Sequence, residues 1–131
     1  IIVCDGGSVD NSESVTIQNS CKFLKSPIKS RAAQMNLGAN NSDADIFFFV
    51  HADARPHPDF YNLIIDSVSR KGAKFGGFRF KFKSNKILLK MNSWFTRFNI
   101  FYFRGGDTGL FFEREFFFSL GAYDEYWTIM E

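Results

Sequence analysis

The apolar residues fall into short blocks separated by turn-forming residues. Ile1-Ile2-Val3-Cys4 is an apolar run of strand length, and it stops at the turn composition Asp5-Gly6-Gly7-Ser8. Ser12 to Asn19 then predicts a short helix, and Cys21 to Leu24 a second strand closed by Pro27. The helix formers Arg31-Ala32-Ala33-Gln34-Met35-Asn36-Leu37 follow Ser30 and lead to Gly38, a helix end. Ile46-Phe47-Phe48-Phe49-Val50 is a continuous apolar run, the pattern of a parallel strand covered on both faces. After Pro56 and Pro58, the spacing of Phe60, Leu63, Ile64 and Val68 predicts another helix. Between Phe75 and Phe82 the chain alternates: Phe78, Phe80 and Phe82 against Arg79, Lys81 and Lys83, a strand with one wet face.

This alternation of strands and helices implies an α/β fold with a mostly parallel sheet flanked by helices, in a single domain over residues 1–131. Ligands in such sheets bind beyond the carboxyl ends of the strands, and here those ends carry Asp5 and His51-Ala52-Asp53. Because the sequence opens inside an apolar strand, it is expected to be an internal piece of a longer chain. Further on, Ile87, Met91, Trp94, Phe95, Phe98, Phe101 and Tyr102 form a wide apolar stripe over residues 87–103. Core packing is its ordinary explanation; peripheral docking on a membrane is the alternative.

Composition narrows the classes. The 131 residues are 45% hydrophobic and 23% charged, which excludes a disordered chain. A net charge of +2 is too balanced to indicate nucleic-acid binding. The basic set Arg79, Lys81, Lys83 and Lys86 does not change that, since strict alternation puts it on the face opposite the Phe rings. Two cysteines, Cys4 and Cys21, make neither a disulfide framework nor a four-ligand zinc site, as in a reducing, cytoplasmic compartment. No apolar run approaches the 18 residues or so of a membrane span.

Asp5 presents a carboxylate able to accept hydrogen bonds from a base or ribose, while Gly6 and Gly7 let a ligand approach the backbone. The competing reading is that Asp5 and Ser8 cap the turn. Asp53 suits a hard divalent cation if a diphosphate supplies further ligands; otherwise it caps the helix beyond Pro56. His51 is a weaker metal ligand, or a structural histidine. Arg31 lies near a helix start, where its charge opposes the helix dipole, so a task such as phosphate pairing is expected, against the alternative of a solvated surface arginine.

In order along the chain, these residues resemble family 2 glycosyltransferases of the GT-A fold. Asp5-Gly6-Gly7-Ser8-Val9-Asp10 is similar to D-D/G-G-S-T-D, Arg31 to Gly38 to R-x-x-Q-M-N-x-G, and His51-Ala52-Asp53 to the metal-binding D-x-D. Gly106-Asp107-Thr108-Gly109 is similar to G-D-Q-G, and Leu120-Gly121-Ala122-Tyr123 through Met130-Glu131 to L-G-G-F followed by M-E-D. The set most resembles the arsenosugar-biosynthesis-type subgroup. The resemblance implies a GT-A-like, Rossmann-like sheet whose first strand is missing here, with Ile1 opening the second. It also implies an enzyme that moves a sugar, with inversion, from a nucleotide-diphosphate-sugar donor of UDP or GDP type to an acceptor hydroxyl. Asp5, Gly6, Gly7 and Arg31 would hold the nucleotide, and Asp53, with His51 as a weaker ligand, Mn²⁺ or Mg²⁺. Gly106, Asp107 and Gly109 would shape the sugar or acceptor side. The family's usual base lies beside Glu131, one position past it, so this stretch alone is expected to be weak or inactive. His51 stands where the family has a carboxylate, and Thr108 where the subgroup has Gln. A sugar nucleotidyltransferase-like enzyme and a non-catalytic nucleotide-binding fragment are the alternatives, and the inner membrane surface is the alternative location.

Overall fold

The computed structural model describes residues 1–78 and 109–126. These gather into two units, Ile1–Asp45 with Phe117–Glu131, and Ile46–Phe116. The apolar stripe over 87–103, the basic set Arg79, Lys81, Lys83 and Lys86, and the residues Gly106, Asp107 and Glu131 lie outside the described residues.

In the first unit, β1 (Ile2–Asp5) pairs in parallel with β2 (Lys22–Lys25), in register Ile2 to Lys22 through Asp5 to Lys25. The crossover is α1 (Ser12–Gln18), which packs on β2. Its one buried residue, Thr16, satisfies its hydroxyl on the Ser12 carbonyl at 2.7 Å. The helix α2 (Arg31–Asn40) packs on β1 and buries Ala33, Asn36 and Ala39, one face at a spacing of three. Two of the three are alanines, which lets the helix approach the sheet closely. Gly38 belongs to the same close approach, since a Cβ there would lie 3.2 Å from the Cys4 sulfur. The expectation that Gly38 ends the helix is therefore corrected: α2 runs on to Asn40, and the glycine serves packing within it.

The second unit is an aromatic sheet. Its β3 (Ile46–Phe49), β5 (Leu110–Glu113) and β4 (Phe75–Gly77) lie in the order β3-β5-β4, antiparallel throughout. Rings cover both faces: Phe47 and Phe111, on opposite faces, are both buried. On one face Phe49 meets Phe112 at 6.1 Å, and Phe75 stacks on Phe112 and Phe116. On the other, Phe48 stacks on Phe60 at 5.1 Å and meets Phe78 edge-on at 5.4 Å. Phe60 opens α3 (Phe60–Lys71), whose buried residue is Ile64. That helix stops at Gly72 in the left-handed region (φ 63°), with the Gly72 and Ala73 amides folded back onto the Val68 and Ser67 carbonyls.

Alpha/beta composition is thus present, but the mostly parallel sheet is not. Among the described residues one two-stranded sheet is parallel and one three-stranded sheet is antiparallel. The run Ile46 to Phe49 was expected to be parallel because it is apolar on both faces; the burial is there, but its partner β5 runs the other way. Two-sided burial follows from what covers a sheet, and helix and ring packing supply it here without parallel pairing. After β5 the chain passes directly into α4 (Arg114–Ser119), and the division between the units falls within it. Among the described residues no helix is long and apolar enough to cross a membrane.

Candidate functional site

After β1 the chain folds back onto the side chain of Asp5. Its Oδ2 accepts the Gly7 amide at 2.8 Å and the Ser8 amide at 2.9 Å, and Oδ1 accepts the Ser8 hydroxyl. The Ser8 hydroxyl and then the Gly7 amide hold the Asp5 carboxyl below its ordinary range, with Lys25 adding a smaller attraction. Gly7 adopts φ +106°, a region that favours glycine, and the Lys29 stem lies over it at 3.2 Å from where a Cβ would be. A Cβ on Gly6 would overlap Nε2 of Gln34. The loop is therefore braced from inside by Asp5 and from outside by the side chain of Gln34, one turn along α2 from the exposed Arg31.

Asp10 plays a similar local part, accepting the Ser12 hydroxyl at 2.6 Å and the Ser12 amide at 3.0 Å, which lowers its pKa. Asp5, Ser8, Asp10, Ser12, Glu13, Phe23 and Lys25 line a hollow at this end of the parallel pair. Three carboxylates against one lysine repel a phosphate. They suit instead the N–H edge of a base or the hydroxyls of a ribose, with the Phe23 ring offering a surface to stack on.

The second acidic strand end, in the other unit, is built differently. The His51 carbonyl accepts the Ala54 amide at 3.0 Å, closing a turn on which His51 is half-buried and Asp53 exposed. Capping of α3 does not employ Asp53: the N-cap is Asp59, six residues further on, whose amide donates to Nδ1 of His57. Among the described residues no hydrogen bond or ion pair reaches the Asp53 carboxylate. Among them, also, no three His, Cys, Asp or Glu side chains gather into a ready-made metal cage. A lone exposed carboxylate fits a hard cation that takes its remaining ligands from a diphosphate and water.

Gly109 has a packing reason to be glycine. It precedes β5, its carbonyl accepts the Phe78 amide at 3.0 Å, and a Cβ there would meet the Phe48 ring at 2.9 Å.

One residue of the Arg31 to Gly38 motif was assigned no part in the reading of the sequence and has a large structural one. Asn36, 8% exposed on the inner face of α2, donates from Nδ2 to the Tyr123 carbonyl and to Oε1 of Glu125, both at 2.8 Å. Its Oδ1 accepts the Tyr123 amide at 3.0 Å. The signal available was a polar residue set between Ala33 and Ala39 on a small-residue face. Burial pushes the pKa of Tyr123 up to about 12, and its ring packs edge-on against the buried Phe117 at 5.5 Å.

A family model described as Glycosyl transferase family 2 matches residues 1–127. No curated protein and no solved structure matches the chain.

Proposed function

The chain belongs to glycosyl transferase family 2, and from that premise we propose that it transfers a sugar from a nucleotide-diphosphate donor to an acceptor hydroxyl, with inversion and with help from Mn²⁺ or Mg²⁺. The observation that carries the metal-assisted part is the presentation of Asp53, exposed on a turn after β3 and six residues before Asp59, the N-cap position of α3. A cation held by Asp53, with His51 as a second ligand, would neutralise charge on the departing diphosphate.

The chain's own residues do the rest. The carboxylate-lined hollow at Asp5 takes the base or ribose, while Gly6 and Gly7 leave room for the Gln34 side chain and the Lys29 stem that brace the loop beside it. Arg31, exposed at the first turn of α2, offers its guanidinium to the phosphates. The acceptor hydroxyl attacks the anomeric carbon on the face opposite the diphosphate. The new carbon–oxygen bond forms as the bond to the diphosphate oxygen breaks, and the hydroxyl proton passes to a carboxylate. By the resemblance that carboxylate is the residue one position past Glu131, and its proton transfer is worth roughly 10²–10⁴ in rate. Gly106, Asp107 and Gly109 are assigned to the sugar and acceptor side on the same ground.

The test is a calorimetric titration of UDP, then GDP, with and without Mn²⁺, into the full-length protein and an Asp53→Ala variant. Metal-dependent binding of one nucleotide, lost in the variant, is expected and names the donor class. A folded protein that binds neither would overturn the proposal.

A further inference from the structure

We propose that Lys29 is a binding residue for the donor, its ammonium taking the phosphate next to the ribose without help from metal; this rests on the transferase reading above. The side chain has two parts with two duties. Its stem lies over Gly7, with Cε 3.2 Å and Nζ 3.9 Å from where a Cβ on that residue would stand. Gly7 keeps φ +106° and has no side chain, so the lysine can lie flat along the loop. Bracing the loop needs only the stem. The ammonium is left over, held at the loop although a lysine ordinarily carries its charge out into water.

The described residues do not consume that charge. Among them no hydrogen bond or ion pair reaches the Lys29 ammonium. Nor is it the counter-ion of the loop's own acid, since the lysine whose attraction helps hold the Asp5 carboxyl down is Lys25. Ser30, the next residue, is 7% exposed and stands at the N-cap of α2, where a serine ordinarily caps, yet its hydroxyl makes no hydrogen bond among the described residues. No acid lies in the first turn of α2. Lys29 and Ser30 therefore both keep donors in hand on the segment that leads into Arg31.

The neighbouring hollow decides what those donors meet. Its lining sets Asp5, Asp10 and Glu13 against Lys25 alone, so a ribose seated there has its phosphates repelled from the interior. Ser8 belongs to that lining, and the residue before it, Gly7, is the one that Lys29 covers. The ammonium thus stands one residue beyond the acidic lining, a step of about 3.8 Å along the backbone. A phosphate carried on the ribose reaches that far.

Lys29→Met keeps an unbranched stem over Gly7 and removes the charge. The full-length protein is titrated with UDP and with GDP in the absence of metal. For the nucleotide that the wild type binds, Lys29→Met is expected to weaken affinity roughly tenfold, the scale of one hydrogen bond to a charged group. Lys29→Arg should hold the affinity within about threefold, because a guanidinium also donates to phosphate. Added salt should weaken binding more in the wild type than in Lys29→Met, since the ammonium is exposed. Tm should not move in Lys29→Met, and neither should hydrogen exchange at the Gly7 and Ser8 amides, which Asp5 holds. Weaker binding accompanied by faster exchange at those amides would reduce Lys29 to a brace and overturn the proposal. Unchanged affinity in Lys29→Met, in a wild-type background that binds nucleotide, would sink it alone. So would binding by the wild type only when Mn²⁺ is present, because the ammonium is assigned a metal-independent share. A wild type that binds neither nucleotide, with or without metal, would sink the transferase reading and this role with it.

Discussion

After β1 the backbone wraps around its own acid, so that two amides and a hydroxyl converge on Asp5. After β3 the backbone closes a turn on the His51 carbonyl and leaves the acid, Asp53, facing water. Asp5 is the last residue of β1 and Asp53 lies four residues past β3, and both matched acidic motifs in the sequence. The difference lies in what each acid is for. A carboxylate already accepting three hydrogen bonds shapes a loop first and can meet a ligand only with its remaining lone pairs. An exposed one, met by no hydrogen bond or ion pair among the described residues, keeps its lone pairs for a ligand. Their surroundings differ likewise: the first unit is organised by directional bonds at Asp5, Asp10 and Asn36, the second by rings stacked on both faces of a sheet.

The largest effect expected from this contrast is on ligand binding. Asp53→Ala should leave the stability of the free protein within about 0.5 kcal/mol, as surface substitutions do. Yet it should remove the metal-dependent part of nucleotide affinity, a loss of at least about tenfold. Asp5→Ala should do the reverse in kind, lowering Tm and weakening nucleotide binding equally with and without metal. Melting curves and titrations on the pair check this. If Asp53→Ala lowers Tm as far as Asp5→Ala, the two strand ends do not differ as described.

A smaller effect separates the two modes of packing. A methyl group added at Gly76 would meet the Phe111 ring at 2.6 Å, and that ring is buried between strands with no room to give. Gly76→Ala should therefore cost about 1–3 kcal/mol, the range for overpacking. Gly6→Ala collides only with the end of the Gln34 side chain, which can swing away. Its cost in urea unfolding should be clearly less, while the Asp5 loop loses its outer brace. Equal costs would mean that the loop is as rigid as the aromatic sheet.

How much of this was legible follows the same division. The elements β1, α1, β2, α2, β3 and α3 were all readable, because each is a short apolar or periodic block bounded by polar or turn-forming residues. The strand β5 and helix α4 were not. From Leu110 to Phe118 the chain runs through Phe111, Phe112, Phe116 and Phe117 with no breaker, only Glu113-Arg114-Glu115 between strand and helix. The antiparallel pairing of β3 was hidden for a physical reason: an apolar run records that both faces are covered but not which way the neighbouring strand runs. At the candidate site, residue types and order were visible in the motifs. What each acid bonds to was not, since the amides of Gly7 and Ser8 and the identity of the α3 cap depend on backbone geometry. Asn36 shows the limit most plainly, its partners lying 87 and 89 residues away.

The smallest effects concern pH, and they mark the two ends of the stability range. Tyr123 has its folded pKa raised to about 12 by burial, against an ordinary 10. A raised pKa stabilises the fold fully below the unfolded value and loses that contribution as pH climbs from 10 towards 12. Tyr123→Phe should flatten the alkaline limb of the stability curve. Asp5 is the opposite case, its folded pKa lowered chiefly by the Ser8 hydroxyl. Its contribution is present above the ordinary carboxylate pKa, about 4, and is lost as pH falls below that through the folded value. Protonation would turn an acceptor of three hydrogen bonds partly into a donor facing the Gly7 and Ser8 amides. Asp5→Asn should therefore remove the acid sensitivity of this loop, and Ser8→Ala should reduce it. Acid titration of Tm across the two variants checks whether the Asp5 carboxylate builds its loop through the Ser8 hydroxyl and the Gly7 amide.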